Sequence, residues 1–467
     1  MTQSIDKRTG KKATTEAPEQ TRHLLRHLEH PNIHRLADYR KAGGYSTVQQ
    51  VLGKVSREDL TEWLAVSNLR GRGGAGQPVA KKWRRVADVP GQRYVIANGD
   101  ESEPGAFKDR ELMECNPHQL IEGLILSAYA VKATRAIIYI RLEYELAQER
   151  VGRALKEAED AGIIGGDVMG TGVEVEFEIF VSGGAYICGE QTALIESVEG
   201  KLPYPRPKPP YPTVYGLWGR PTVVQNIETL SAIPVVVGLG PENFAAIGSP
   251  LAPGPKVYSV SGHVSKPGNY ELPMGTTLRQ LIAVCGGISE GRRFKAALPG
   301  GAASGFLTED HLDLPLDFES LKAMGGEFGT GTVMIFDQHT CMVGAAQSLL
   351  RFFHDESCGK CTPCREGTRF MFQWLTALET GHGSQADIDA LARLSGAVPG
   401  TTCCALADGA CLPVATGLMY FMDEFTYHAQ HGTCPPGEEH IHLPHDDVQG
   451  AFHDERAPAL SEFHPPK

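Results

Sequence analysis

Three cysteines set at intervals of three, Cys358, Cys361 and Cys364, carry the clearest chemistry in this chain. Cys403 and Cys404 follow about forty residues on. Thiolates at that spacing wrap one face of an iron–sulfur cubane, and a distant fourth closes it. Zinc ribbons use two separated C-x2-C pairs instead. The spacing therefore favours a 4Fe-4S cluster, with zinc as the alternative. Cys115, Cys285, Cys341, Cys411 and Cys434 have no partner at ligand spacing and read as inert, and Cys188 reads as packing.

A second group of residues suits phosphate and sugar. Gly71-Arg72-Gly73-Gly74-Ala75-Gly76 matches G-x-G-x-x-G, but it follows a predicted helix where a dinucleotide fingerprint follows a strand. The ordinary Rossmann reading is rejected, yet bare backbone N–H groups and the next helix N-terminus still suit phosphate. Arg72, Lys81 and Lys82 add positive charge. The loop NGDESEPG (98–105) crowds the acceptors Asn98, Asp100, Glu101 and Glu103 at a strand end, where open α/β sheets bind ligands. These acceptors suit ribityl or ribose hydroxyls or a flavin ring N–H; the plain alternative is an acidic surface turn. GGAYICGEQTALIES puts Tyr186 and Glu190 at a loop-to-helix junction. Lys208 and Tyr211 on the proline run KLPYPRPKPPYP offer a cation for phosphate or carboxylate and a ring for a purine. A nucleotide cradle and a cluster on one chain imply redox chemistry. NAD(P)H gives electrons in pairs, a cluster takes them singly, and a flavin converts one to the other.

The elements that must position these residues follow from periodicity and punctuation. The pattern predicts a helix over 56–69 opened by Ser56 and Asp59, and another over 80–86. It predicts strands at 94–98, 135–140 and 173–181, the last with glutamates alternating against apolar residues. Asn116 with Pro117 starts a further helix, and a charged one runs to about Ala161. Helix TALIESVEG closes at Gly200, and the proline run after it is read as extended polyproline. Alternating strand and helix over 90–200 indicates an α/β sheet. Residues 240–255 read as a linker. KVYSVSG, KPGN and YELP form a hairpin, Thr277 and Gln280 a capping box, and TVMIF a closing strand, together a small α+β unit. The pattern from 341 to about 430 is helical. The segment RHLLRHLEH (22–30) reads as a short helix whose histidines His23, His27 and His34 are surface residues rather than ligands. Residues 1–20 and the His- and Pro-rich tail from 431 read as disordered.

Composition narrows the field. The chain has 467 residues, a formal charge of −12 and 41% hydrophobic residues, enough for several packed domains. Its 53 glycines and 31 prolines exceed the usual share of ~12% without reaching the ~25–30% of disordered chains. The acid excess argues against nucleic-acid binding. No apolar run approaches the ~18 residues of a membrane span. The N-terminus lacks the features of a signal or transit peptide, and clustered cysteines point to a reducing compartment, so the cytosol is the expected address.

The segments GRGGAGQPVAKKW, NGDESEPGAFKDR, GAYICGEQTALIESVEG, KPPYP, GRPTVVQNIETL and ESCGKCTPCREGT, in that order, resemble the NADH-binding 51-kDa F subunits of respiratory complex I. The likeness runs from about residue 30 to 430. It implies an α/β + α+β + all-α architecture. A partly disordered arm (1–40) would precede a Rossmann-like FMN/NADH domain (41–250). A ubiquitin-like, SLBB-type domain (251–337), a four-helix bundle with the cluster (338–430) and the tail (431–467) would follow. By motif position, FMN phosphate and ribityl contacts would come from Gly71, Gly73, Gly74, Lys82, Asn98, Asp100 and Asn226. Tyr186 and Glu190 would line the flavin, Glu103 and Lys208 would face NADH, and Tyr211 would lie against adenine. The cofactor-binding set extends to Arg72, Gly76, Glu101, Gly189, Gln191 and Gln225. No catalytic side chain is implied, since the cofactor carries the hydride. The late motif Cys404-Ala405-Leu406-Ala407-Asp408 favours Cys404 over Cys403 as the fourth ligand beside Cys358, Cys361 and Cys364.

The implied activity is NADH oxidation within a NADH-quinone oxidoreductase, with FMN and a 4Fe-4S cluster. The expected partners are other peripheral-arm subunits, including a 2Fe-2S subunit and a large iron–sulfur subunit; quinone is reached only indirectly. The implied place is the cytoplasmic face of a bacterial inner membrane. The alternatives are a diaphorase subunit of a soluble hydrogenase or formate dehydrogenase, and a relay subunit with a weakened nucleotide site. Three departures from the family pattern support the last: Gln77 for the usual Phe, Gln191 for the second of paired glutamates, and Gln225 for the first of paired asparagines.

Overall fold

The computed structural model describes residues 18–439; the first seventeen residues and the histidine-rich segment from 440 lie outside the described residues. Short helices α1 (Leu36–Lys41) and α2 (Ser46–Val51) lead into α3 (Arg57–Val66) and α4 (Val79–Ala87). Ser56 accepts the Asp59 N–H at 3.0 Å and so caps α3, as its spacing predicts. Strand β1 (Tyr94–Gly99) is apolar on both faces, as a central parallel strand must be. Helices α5 (Lys108–Cys115) and α6 (Pro117–Val131) follow, then β2 (Arg135–Arg141), α7 (Glu145–Asp160), β3 (Glu176–Ser182), α8 (Gln191–Val198), β4 (Thr222–Asn226) and α9 (Ile227–Leu239).

All four strands are parallel, in the order β3-β2-β1-β4. The chain moves from β1 to β2 on one side and returns to β4 on the other. The crevice beyond Gly99 and Asn226 is therefore the topological switch of the sheet, the usual ligand position in such folds. Alternate residues of β1 serve two cores. Val95 and Ala97 pack with α3, α4, α6 and α9, while Tyr94 and Ile96 face α8 and the C-terminal helices. Gly123 of α6 has no substitute, because a Cβ there would lie 2.0 Å from the Leu230 carbonyl oxygen on α9.

Residues 240–255 are not a bare linker. They hold α10 (Pro241–Ala245) and a two-residue hairpin, β5 (Gly248–Ser249) and β6 (Ala252–Pro253), with Phe244 fully buried. The α+β unit contains β7 (Pro255–Gly262), β8 (Gly268–Pro273), α11 (Leu278–Val284), β9 (Phe294–Leu298), α12 (Phe318–Lys322) and β10 (Thr332–Asp337). Its sheet order is β8-β7-β10-β9, with β10 parallel to β7. Thr277 and Gln280 form the expected capping box of α11. Among the described residues four helices follow: α13 (Met342–Asp355), α14 (Thr362–Glu379), α15 (Gln385–Ala397) and α16 (Leu406–His431). Fold class thus matches expectation: a parallel α/β sheet, a small α+β unit and an all-α bundle.

Several local readings need correction. Only Arg26–Leu28 of the 22–30 segment is helical, as one 3-10 turn. The Glu271 carboxylate accepts the N–H groups of His23, Leu24 and Leu25 at 2.9 Å each and ties the start of the segment to β8. Strand β3 begins at Glu176 rather than at 173, and it is an edge strand with both faces partly open. Asn116 does sit at the N-cap of α6, but its side chain bonds Leu24 O and Gln119 Oε1 instead of the helix. The proline run is not one polyproline helix, since the Lys208–Pro209 and Pro209–Pro210 bonds are both cis. Residues 431–439 are packed: Cys434 is buried and Glu439 pairs with Thr340.

Candidate functional site

The glycine loop reaches the switch crevice from the helical side. Gly73 stands so close to Asn226 that a Cβ would meet the Asn226 Cβ at 2.8 Å. Gly76 has φ +57° and lies on the Phe318 ring. Gly71 closes the loop by donating to the Gln77 carbonyl at 2.9 Å, and Gly74 has φ +122°. Lys82, on the first turns of α4, donates to the Val224 carbonyl at 3.0 Å. Burial, with Lys208 nearby, lowers its pKa to about 8. Lys81 is exposed.

Arg72 departs from expectation. It is fully buried, and its guanidinium donates to the Pro253 and Pro255 carbonyls at 2.9 and 3.2 Å. It braces the loop against the α+β unit. Glu101 departs likewise: its two oxygens accept the Asp109 and Arg110 N–H groups at 3.0 and 2.9 Å and so cap α5.

The remaining acceptors converge. Asn98 donates to the Gly189 carbonyl at 2.9 Å and accepts the Asp100 N–H at 3.1 Å, tying two strand-end loops together. Asn98 and Asn226 are register partners across β1 and β4. Asn226 caps α9 through the Glu228 N–H at 3.0 Å, and its amide donates to Asp109 at 2.6 Å. Asp100 Oδ2 and Gln225 Oε1 are buried and have no protein partner. Such orphans are costly unless a ligand satisfies them. Burial raises the Asp100 carboxyl to about 7. This acceptor-lined, glycine-floored crevice fits a flavin with its ring N–H, ribityl hydroxyls and phosphate.

Glu190 caps α8, accepting Thr192 N–H at 2.8 Å and Ala193 N–H at 3.0 Å, and its other oxygen takes Lys208 Nζ at 2.7 Å. Gln191 is half-buried at the first position of that helix. Tyr211 is exposed, with the Arg85 guanidinium 5.9 Å from its ring centroid. Gln77 is exposed beside the loop.

Tyr186 joins the crevice to the bundle. Its hydroxyl donates to Glu103 at 2.7 Å, its N–H donates to Glu356 at 2.9 Å, and its ring lies edge-on to Phe352 at 5.0 Å. Glu103 also accepts the Ala303 N–H at 2.9 Å, and burial raises its carboxyl to about 7. The next residue, Ile187, lines a pocket with Cys358, Cys361, Cys364, Cys403 and Cys404. Cys361 is the N-cap of α14 and Cys364 lies in its first turn. Ser357 sits 3.2 Å from Cys364 Sγ, and the Cys403 N–H donates to Cys361 Sγ at 3.4 Å. The Cys403 thiol turns away to the Pro205 carbonyl at 3.6 Å. Burial pushes the Cys404 thiol up to about 12, with Glu190, Cys364 and Cys358 adding to the rise. Cys358, Cys361, Cys364 and Cys404 together in one pocket suit a cubane.

Residue-type reasoning missed the charges beneath the crevice. Lys108 bonds Asp109 at 2.8 Å and Glu228 at 3.2 Å, and Lys256 bonds Glu228 at 2.8 Å; all are buried. Burial alone would raise the Glu228 pKa, but Lys256 and Lys108 outweigh it and hold the carboxylate low. The signal was present as Lys108-Asp109 inside NGDESEPGAFKDR and Glu228 inside an apolar run.

Known proteins match this arrangement part by part. Residues 64–235 match a model described as the Nuo51 FMN-binding domain, residues 257–307 the SLBB domain, and residues 344–428 the NADH-ubiquinone oxidoreductase-F iron-sulfur binding region. The F 2 subunit of the NADH-quinone oxidoreductase of Rhizobium meliloti is 45% identical over 88% of this chain and 98% of its own. The F subunit of the Escherichia coli NADH-quinone oxidoreductase is 43% identical over 84% of this chain and 88% of its own. A solved NAD+-reducing NiFe-hydrogenase, in the H2-reduced state, superposes with a TM-score of 0.74 at 36% identity, covering 82% of this chain; the chain spans 64% of that one. With domain order, crevice and cysteine pocket all in agreement with such similarity, the chain belongs to the F-subunit family of NADH-quinone oxidoreductases.

Proposed function

We propose that the strand-end crevice holds FMN and the NADH nicotinamide in line with the cysteine pocket, so that this chain is the electron entry point of its complex. The chain is a NADH-oxidising flavoprotein subunit of NADH-quinone oxidoreductase, with FMN and a 4Fe-4S cluster as cofactors. The observation that carries the reading is Tyr186, which touches the crevice through Glu103 and the bundle through Glu356 and Phe352, with Ile187 already at the cysteines. FMN, when bound, supplies the conversion of a hydride donor's electron pair into single-electron steps.

The chain's own residues bind and align. Gly71, Gly73 and Gly74 let backbone approach phosphate, with Lys82 as the cation. Asn98, Asp100 and Asn226 take the ribityl and ring polar groups. Tyr186, Gly189 and Glu190 wall the flavin; Lys208, with Tyr211, meets the nucleotide. Gly76, Gln191 and Gln225 complete the cofactor-binding set, Gly76 and Gln225 from buried positions. Glu103 works through Tyr186, which it positions. Arg72 and Glu101 support the loops from behind. Cys358, Cys361, Cys364 and Cys404 hold the cluster. Alignment of this kind replaces acid–base catalysis, since hydride transfer needs no side-chain proton.

The domain limits that go with this reading are 41–250, 251–337 and 338–430. Its partners are a 2Fe-2S subunit and a large iron–sulfur subunit, in an arm on the cytoplasmic face of a bacterial inner membrane; quinone is reached through them. Among the described residues no helix is long and apolar enough to cross a membrane. A diaphorase role beside a soluble hydrogenase is the second reading, favoured by the hydrogenase superposition. Reconstituted protein should be yellow-brown and reduce ferricyanide with NADH. Flavin that NADH cannot bleach would defeat the proposal, and the neighbouring genes separate the two readings.

A further inference from the structure

Cys341, Cys434 and His428, the first two of them read as inert from spacing, meet in a buried group whose ligand atoms all lie within 4.8 Å of one another. Cys341 is the N-cap of α13, while Cys358 follows the far end of that helix. Fourteen residues at ~1.5 Å each put this group about 20 Å along the helix from the start of the cluster motif. Cys341 Sγ is 3.2 Å from His428 Nε2. His428 Nδ1 is 3.2 Å from the Leu378 carbonyl, which can only accept. Nδ1 therefore carries the proton and Nε2 turns its lone pair to the sulfur, the orientation that a metal-bound imidazole takes. A Glu379 oxygen lies 3.9 Å from Cys341 Sγ and 3.7 Å from His428 Nδ1.

Two sulfurs and one imidazole match zinc. Magnesium and calcium take oxygen sets, and a cubane would need more thiolates. Bonds of about 2.3 Å to sulfur and 2.05 Å to nitrogen give tetrahedral ligand edges of about 3.6–3.8 Å. The 3.2 Å between Cys341 Sγ and His428 Nε2 is a few tenths short of that range, and Cys434 Sγ lies within 4.8 Å of both. The site also has a structural task. Gly432, at φ +69°, ends α16, and the chain then turns back onto the start of α13. There the Cys341 N–H donates to the Glu439 carbonyl at 3.2 Å, and Lys295 bonds Glu438 at 2.8 Å.

We propose that Cys341, His428 and Cys434 bind zinc as three protein ligands, a structural site that fastens segment 432–439 to the start of the bundle. Binding releases the thiol protons, so zinc uptake rises with pH. The test uses the full chain loaded with FMN and cluster, equilibrated with Zn2+ and desalted. The expected result is about one zinc beside about four iron per chain, with zinc-edge X-ray absorption showing sulfur and nitrogen neighbours. His428→Gln and Cys434→Ser should each lower zinc to about a tenth or less while iron and flavin stay. In wild type, zinc should protect Cys341 and Cys434 from alkylation, reversibly by chelator, which keeps the test open if a variant does not fold. Zinc absent from wild type, zinc retained in both variants, or a Cys341–Cys434 disulfide would overturn the proposal.

Discussion

The flavin crevice and the cysteine pocket are neighbours built on opposite principles. The pocket is lined by cysteines from two short segments, 358–364 and 403–404, and Cys361 and Cys364 sit at the start of one helix. The crevice draws on the 71–76 loop, the ends of β1, β3 and β4, and the α+β unit behind them. It rests on buried ion pairs among Lys108, Asp109, Glu228 and Lys256. The pocket should therefore fail all at once when one ligand is lost. The crevice should fail by degrees.

The largest effect belongs to the pocket. Cys361→Ser or Cys404→Ser should cut bound iron to about a tenth or less while flavin stays, whereas Cys403→Ser should leave iron unchanged. Iron analysis beside flavin fluorescence reads both. Next comes the floor beneath the crevice. Lys108→Met strands Asp109 and weakens the hold on Glu228, and should lower stability by about 3–5 kcal/mol, read as a fall in denaturation midpoint. Gly73→Val drives a side chain into Asn226 and should weaken FMN binding by about 2–3 kcal/mol, with iron retained. Simultaneous loss of flavin and iron in that variant would mean the two regions are one unit.

Acid chemistry gives a smaller contrast. Burial raises Glu103 from 4.5 to about 7. The folded chain then holds a proton that the unfolded chain has released between about pH 4.5 and 7, so stability falls as pH rises through that window. Asp100 acts in the same direction. Glu103→Gln should flatten the fall by on the order of 2 kcal/mol in melts run from pH 5 to 8. The smallest effect is at the rim: Gln77→Phe should tighten NADH by about 1 kcal/mol, near fivefold, in a binding titration. No gain there would remove one support for a weakened nucleotide site.

What could be read before the structure follows the same division. The cysteine spacing, the Ser56 and Thr277 caps and the apolar strands β1 and β2 are local signals, and each formed as expected. The segments that misled were governed by distant partners. Glu271 holds the start of the 22–30 segment, and Pro253 and Pro255 claim Arg72. Cys341, His428 and Cys434 meet only because α16 returns to the start of α13. Spacing along a chain carries no information about residues that tertiary packing brings together.

The central claim is that crevice and pocket form one electron route through Tyr186 and Ile187. Its most direct test is an anaerobic NADH titration of the reconstituted chain, following flavin absorbance and the electron paramagnetic resonance of the cluster together. NADH should bleach the flavin, and the reduced-cluster signal should appear with it. Flavin left oxidised by excess NADH, or flavin bleached with the cluster silent, would contradict the route.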